Sequence, residues 1–340
     1  MPSTKKILLL GASGLLSSAA LSVFSKKGFE LTVISRGKRP LPKLENLTIL
    51  KADRKDFDSL SKALENKKFD FTADFLAYDE KDIKDLFSVK NFFTERYCMI
   101  SSGQVYLVTK NQTPPFSEED FNKELMAEPS KPSRDWDNWF YGMGKRRAEL
   151  ALEKIALEKN FNSLALRLPV VQGEKDGENS KRLWAWLERM KDKNPVLLPD
   201  GGENLVRFIY SQDVSLFLES LALGHWPKEK ALNLSQKEDI KLKDFLSLAA
   251  SFAGLKPEFI SVKAEILAKA KIPEFCYPYW GKWTSRPNPH KAISSYLAKP
   301  RSPSEYLPSV VKAHFDNPPS SHEGYAFRKK ELELLRDITK

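Results

Sequence analysis

The chain has 340 residues, of which 41% are hydrophobic and 29% charged, a balance that fits a globular protein with room for one large domain or two. No apolar run reaches membrane-spanning length, two cysteines (Cys98 and Cys276) make no disulfide framework, and none of the four histidines has metal-ligand spacing. The formal charge of +10 favours an anionic partner, although lysines that only keep a surface solvated would give the same sum.

The run Lys6-Ile-Leu-Leu-Leu-Gly11-Ala-Ser-Gly14-Leu-Leu-Ser17 reads as a strand buried on both faces, a Gly-turn and the start of a helix over Leu15 to Phe24. That order is the geometry of a dinucleotide-binding βαβ unit. The first glycine permits the tight turn, and the second lets backbone approach a pyrophosphate at the helix N-terminus. Ser17 stands where a third small residue lets helix and strand pack, so slightly loosened packing is expected. A secretory signal competes for this segment, since Lys5-Lys6 and an apolar run precede Ser18-Ala19-Ala20. The glycines interrupt that apolar run, and the elements that follow need its strand.

A second strand, Phe29 to Ser35, ends in Arg36-Gly37-Lys38-Arg39. In such folds an acid at this tip holds a ribose 2′-hydroxyl, and a basic residue accommodates a 2′-phosphate. Here there is no acid, so NADP(H) is favoured over NAD(H), against the alternative of an ordinary basic turn. Strands then alternate with helices: Leu47–Leu50, a helix from Phe57, Phe69–Tyr78, a helix from Lys81 to about Phe93, and Tyr97–Ser101. This alternation marks a parallel sheet with helices on both faces. The fifth strand ends in Ser101-Ser102, where strand ends face the ligand crevice. After a polar loop, Tyr141 and Lys145 stand four apart on one face of a long helix. Such a pair is common by chance; its weight comes from its place behind the Gly-turn and the Ser pair.

Together these pieces resemble the extended short-chain dehydrogenase/reductase superfamily, the NAD-dependent epimerase/dehydratase group. The matching motifs are Gly11-Ala-Ser-Gly14, Asp53-Arg54, Phe75-Leu-Ala77, Ser101 to Tyr106, Tyr141-Gly-Met-Gly-Lys145, Leu166 to Gly173, Phe208 to Val214 and Ala231 to Ser235. Within it, the chain is similar to the group that includes chloroplast stem-loop RNA-binding proteins. The resemblance implies an α/β fold, a Rossmann-type doubly wound parallel sheet with a smaller C-terminal substrate lobe. The nucleotide-binding domain would take residues 1–173 and 206–236, and the lobe 174–205 and 237–340. It further implies Ser102, Tyr141 and Lys145 as the catalytic set. Gly11, Ser13, Gly14, Leu15, Arg36, Lys38, Asp53, Arg54, Ala77, Tyr141 and Lys145 would bind the cofactor.

The activity so implied is an NADP-dependent oxidoreductase or epimerase acting on a sugar, nucleotide sugar or other small carbonyl or carbinol compound by hydride transfer. Hydride transfer at a carbinol carbon needs a proton acceptor on its oxygen. A phenolate at pH 7 costs about 4 kcal/mol, and an ammonium at ~4 Å offers about as much. A dehydratase would want an acid beside Ser102, and Gly103 and Gln104 supply none. Arg182, Arg189 and Arg207 are candidates for a pyrophosphate or sugar, or are surface or packing residues, and the aromatic segment 272–287 reads as packing or, less often, a substrate cover. The second reading is an RNA-binding or regulatory protein that keeps the fold, with the basic residues scattered among acids rather than forming a stripe. A cytoplasmic location, no metal, and a homodimer through two long helices complete the expectation.

Titration of nicotinamide fluorescence tests the basic turn: NADPH is expected to bind more tightly than NADH, and Arg36→Ala to weaken NADPH selectively. Equal weakening of both cofactors would remove the 2′-phosphate argument.

Overall fold

A computed structural model of the chain describes residues 4–178, 180–296 and 298–338. Two compact units divide them. The first takes the chain to Val171, Ile209–Ser235 and Ser285–Pro300; the second takes Gln172–Phe208, Gln236–Thr284 and the chain from Arg301. The segment Ser285–Pro300, expected in the lobe, thus groups with the first unit.

The first unit contains strands β1 (Lys6–Leu10), β2 (Glu30–Ser35), β3 (Leu47–Lys51), β4 (Lys68–Asp74), β5 (Phe93–Ser102) and β6 (Asn162–Leu168). With an edge strand Ala231–Asn233 they form a seven-stranded sheet ordered Ala231–Asn233, β6, β5, β4, β1, β2, β3. The pairings are parallel throughout. The apolar run that looked like a secretory signal is β1, paired on both sides. Its continuity has a plain cause: successive residues of a strand point to opposite faces. Ile7 and Leu9 enter one core with Ala20, Leu21 and Phe24 of α1 (Leu15–Ser25). Leu8 and Leu10 enter the other with α2 (Phe57–Leu64), α3 (Glu80–Ser88) and α5 (Arg134–Lys159). A short helix, α4 (Gln104–Leu107), follows β5 directly.

Two boundaries differ from the sequence expectation. β4 stops at Asp74 because its carboxylate accepts the Leu76 N–H at 2.7 Å and turns the chain, leaving Phe75–Tyr78 as loop. Phe93 opens β5 instead of closing a helix, its N–H bonding the Lys67 carbonyl at 3.1 Å.

Helix α5 carries the Tyr-Lys pair. Ser133 caps it, its hydroxyl accepting the Trp136 N–H at 3.0 Å, with Asp135 and Asp137 in the first turn. Asn160, in the left-handed region at φ 53°, ends it. Gly142 and Gly144 let other backbone press on the helix. A Cβ on Gly142 would lie 2.8 Å from the Gln104 carbonyl oxygen, and one on Gly144 2.6 Å from that of Tyr78.

In the second unit, strands Val196–Pro199 and Phe259–Val262 pair in parallel. The three arginines read as ligand candidates or packing residues divide here. Arg189 forms a fully buried ion pair with Glu331 at 2.8 Å, Arg207 pairs with Asp239 at 2.8 Å, and Arg182 is exposed. The aromatic part of the segment 272–287 contributes packing within this unit, which takes it as far as Thr284: Tyr277 and Tyr279 are buried, Trp186 donates to the Pro278 carbonyl at 3.0 Å, and Tyr279 stacks edge-on with Phe208 at 5.0 Å.

Gly144→Ala is expected to destabilise the protein by roughly 1–3 kcal/mol, although alanine is the better helix former. The urea midpoint measures it; an unchanged midpoint would mean that α5 moves away from Tyr78 without cost.

Candidate active site

The Gly-turn sits at the C-terminal end of β1, between the ends of two neighbours. The Gly11 N–H bonds the Ile34 carbonyl at 3.3 Å, and the Phe75 N–H bonds that of Leu10 at 3.1 Å. Gly11 has φ +97°, and a Cβ there would also stand 3.1 Å from Leu76 Cγ, so conformation and space both call for glycine. Ser13, Gly14 and Leu15 are half-buried at the start of α1. Ser17 is buried, and its hydroxyl accepts the Gly14 N–H at 2.9 Å. The position thus adds a helix cap instead of only loosening the packing.

Arg36 and Lys38 are exposed on the turn after β2. Arg39, named in the basic run but not singled out, reaches across to the Ser13 carbonyl, Nη1 to O 3.2 Å. Lys51, in register with Ser35 on the neighbouring strand, runs beneath Gly37. Asp53 is half-buried, and its carboxylate accepts the Lys55 N–H at 3.0 Å. The Arg54 side chain goes elsewhere: it is buried and bonds Asp74 at 2.7 Å.

Lys145 is 3% exposed, with its Nζ donating to the Ala77 carbonyl at 2.6 Å and the Ile100 carbonyl at 2.8 Å. These carbonyls follow β4 and lie in β5. The ammonium also stands 4.5 Å from the Tyr78 ring centroid and 6.0 Å from that of Tyr141, whose rings are 6.2 Å apart. Burial lowers the Lys145 pKa to about 8, while Asp74, Glu149 and Asp82 oppose the fall. Tyr141 is 38% exposed. Tyr78 was not singled out in the sequence; its signal was its place directly after Ala77.

The Ser pair splits. Ser101 is buried and donates to Glu149, which a bidentate Arg167 also holds, Nη2 to Oε2 2.6 Å. Ser102 is half-buried, its hydroxyl accepting the Gln104 N–H at 3.2 Å. The Gln104 amide donates to Asn138, on the first turns of α5, at 3.2 Å. The sequence thus brings Ala77, Tyr141 and Lys145 into one cluster beside the end of β5, with the Gly-turn two strands away.

A parallel sheet with a Gly-turn at the end of an interior strand, and a helix carrying the Tyr-Lys pair packed against it, is a Rossmann-type α/β fold. The family model of the NAD dependent epimerase/dehydratase family matches residues 7–225. The chain belongs to that family, a branch of the extended short-chain dehydrogenases/reductases.

A curated relative, the chloroplast stem-loop binding protein of 41 kDa b from Arabidopsis thaliana, is 23% identical over 269 residues, which span 75% of this chain and 65% of the relative. Among solved structures, the Bordetella bronchiseptica enzyme WbmH in complex with NAD+ aligns with TM-score 0.67 at 15% identity, over 92% of this chain and 99% of that one. The UDP-N-acetylglucosamine 4-epimerase from Methanobrevibacter ruminantium, in complex with UDP-N-acetylmuramic acid, aligns with TM-score 0.67 at 18% identity, over 92% and 99%. These likenesses carry the fold. Among the described residues no helix is long and apolar enough to cross a membrane, and no cluster of potential metal ligands occurs.

The lowered Lys145 pKa makes stability depend on pH. The folded value of about 8 lies below the usual 10.5. Between them the unfolded chain binds more protons, so this lysine's burial is costly below about pH 8 and the cost falls away as pH rises towards 10.5. Wild type should therefore gain about 3 kcal/mol relative to Lys145→Met over that range. Urea denaturation of both proteins across it measures the gain; parallel curves would show that the lysine is not desolvated.

Proposed function

We propose that the protein is an NADP-dependent oxidoreductase or epimerase acting on a sugar, nucleotide sugar or other small carbonyl or carbinol compound. The observation that carries this reading is the buried Lys145 ammonium beside Tyr141, fixed by carbonyls from β4's exit loop and β5. The support for a dinucleotide is the Gly11 turn at the end of β1, where φ +97° calls for glycine, and the helix start at Gly14 beside it. Arg36 and Lys38 would meet the 2′-phosphate, and Asp53 the adenine amine. Gly11, Ser13, Gly14 and Leu15 would line the pyrophosphate, Ala77 and Lys145 the nicotinamide half.

In this reading Tyr141 takes the proton from the substrate hydroxyl, and Ser102 hydrogen-bonds and orients that oxygen. The Lys145 ammonium, 6.0 Å from the Tyr141 ring centroid, would favour the phenolate. When bound, the oxidised nicotinamide supplies the two-electron acceptor and a second positive charge. Nucleotide sugars lead the substrate classes because the Methanobrevibacter neighbour holds one. The buried thiols Cys98 and Cys276, not joined in a disulfide, suit a reducing setting such as the cytoplasm.

RNA binding is the second reading, because the exposed start of α5 offers a stacking platform. The Trp136 and Phe140 rings stack at 4.9 Å, with Lys131 4.3 Å above Trp136. RNA affinity that falls steeply with salt would favour it, and no binding at physiological salt would sink it.

Tyr141→Phe is expected to bind NADPH as wild type does and to lose roughly 10²-fold or more in turnover against the best nucleotide sugar or ketone in a substrate screen. A variant that turns over at the wild-type rate would overturn the mechanism.

A further inference from the structure

Asp74 closes β4 as a fully buried acid in an otherwise apolar strand end. Its Oδ1 accepts the Leu76 N–H at 2.7 Å; its Oδ2 accepts Arg54 Nη2 at 2.7 Å and the Tyr97 hydroxyl at 2.5 Å. Arg54 is 3% exposed and its Nη2 is directed at Asp74, while among the described residues its Nε and Nη1 have no hydrogen-bond partner. The turn that Asp74 holds places Leu76 against Gly11 and, one residue on, presents the Ala77 carbonyl to Lys145.

We propose that Arg54 and Asp74 are positioning residues for Lys145: they fix the Leu76–Ala77 turn that takes its ammonium and keep a negative charge beneath it. The proposal rests on the reading of Lys145 as the active-site cation, and it gives Arg54 a role away from the dinucleotide. A buried ion pair is no bargain for stability alone, since apolar residues of the same shape would pack as well. Its use here is positional and electrostatic. The groups that face Lys145 are Asp74 from β4, Asp82 from α3 and Glu149 from α5, which favour its charge. Lys55, before α2, opposes it, and the Tyr78 and Tyr141 rings flank it.

The test uses cofactor-free protein labelled with 13Cε-lysine. The resonance that titrates below the other lysines and disappears in Lys145→Met is followed against pH. Asp74→Asn is expected to move that titration to lower pH by roughly one unit or more. Because Asp74→Asn leaves Arg54 buried and unpaired, the double variant Arg54→Met/Asp74→Asn, which removes both charges, is run beside it and is expected to shift the same way. Asp79→Asn, whose carboxylate faces Arg147, is expected to leave the titration in place. An unmoved Lys145 titration in a folded Asp74 variant overturns the proposal, as does an equal shift in Asp79→Asn. No cofactor or substrate is present, so this result is independent of whether NADPH binding or turnover is later found.

Discussion

A charge taken out of water must be answered by the protein, and in the first unit that charge is the Lys145 ammonium. Its hydrogen bonds go to two carbonyls, of Ala77 in the loop that leaves β4 and of Ile100 in the neighbouring β5. Those carbonyls are near each other only because β4 and β5 run parallel in register, with Asp74 beside Met99. The register, the end of β4 and the seat of α5 therefore meet at one nitrogen. Moving any of them would strand a buried cation, at a cost of several kcal/mol.

The helix is shaped for that seat. Two glycines near its middle weaken it by about 1 kcal/mol each as a helix, yet each admits a carbonyl where a side chain would clash. The strong cap at Ser133 and the left-handed stop at Asn160 offset part of that loss. Packing, not propensity, holds the segment that carries Tyr141.

Much of this was legible in the chain itself. Apolar runs with glycine turns located β1, β2 and β5, and the four-residue spacing put Tyr141 and Lys145 on one face. The fold is the family's, as the model match over residues 7–225 shows. What stayed hidden depends on three-dimensional pairing. Arg54 beside Asp53 looks like one motif, but Arg54 bonds Asp74, twenty residues away, inside the protein. Asp74 looked like part of a strand running to Tyr78, and only its side chain's bond to Leu76 shows why the strand stops. The Arg39 reach to Ser13 crosses from one turn to another, and no spacing encodes it. The aromatic segment 272–287 read as packing or, less often, a substrate cover; Tyr277 and Tyr279 are buried core.

The Ser pair shows how strand geometry divides labour between adjacent residues. Side chains at successive strand positions point to opposite faces, so two neighbouring serines do not share one role. Ser101 turns to α5 and joins Glu149, whose charge Arg167 holds with a two-pronged bond. A carboxylate so engaged is spent as a base, because taking up a proton would break a buried ion pair. The polar side chains next along the chain, Ser102 and Gln104, are uncharged, and Gln104 is bonded to Asn138. Elimination chemistry needs an acid or base at the substrate carbon besides the tyrosine. Of the carboxylates near the end of β5, Glu149 is committed to structure.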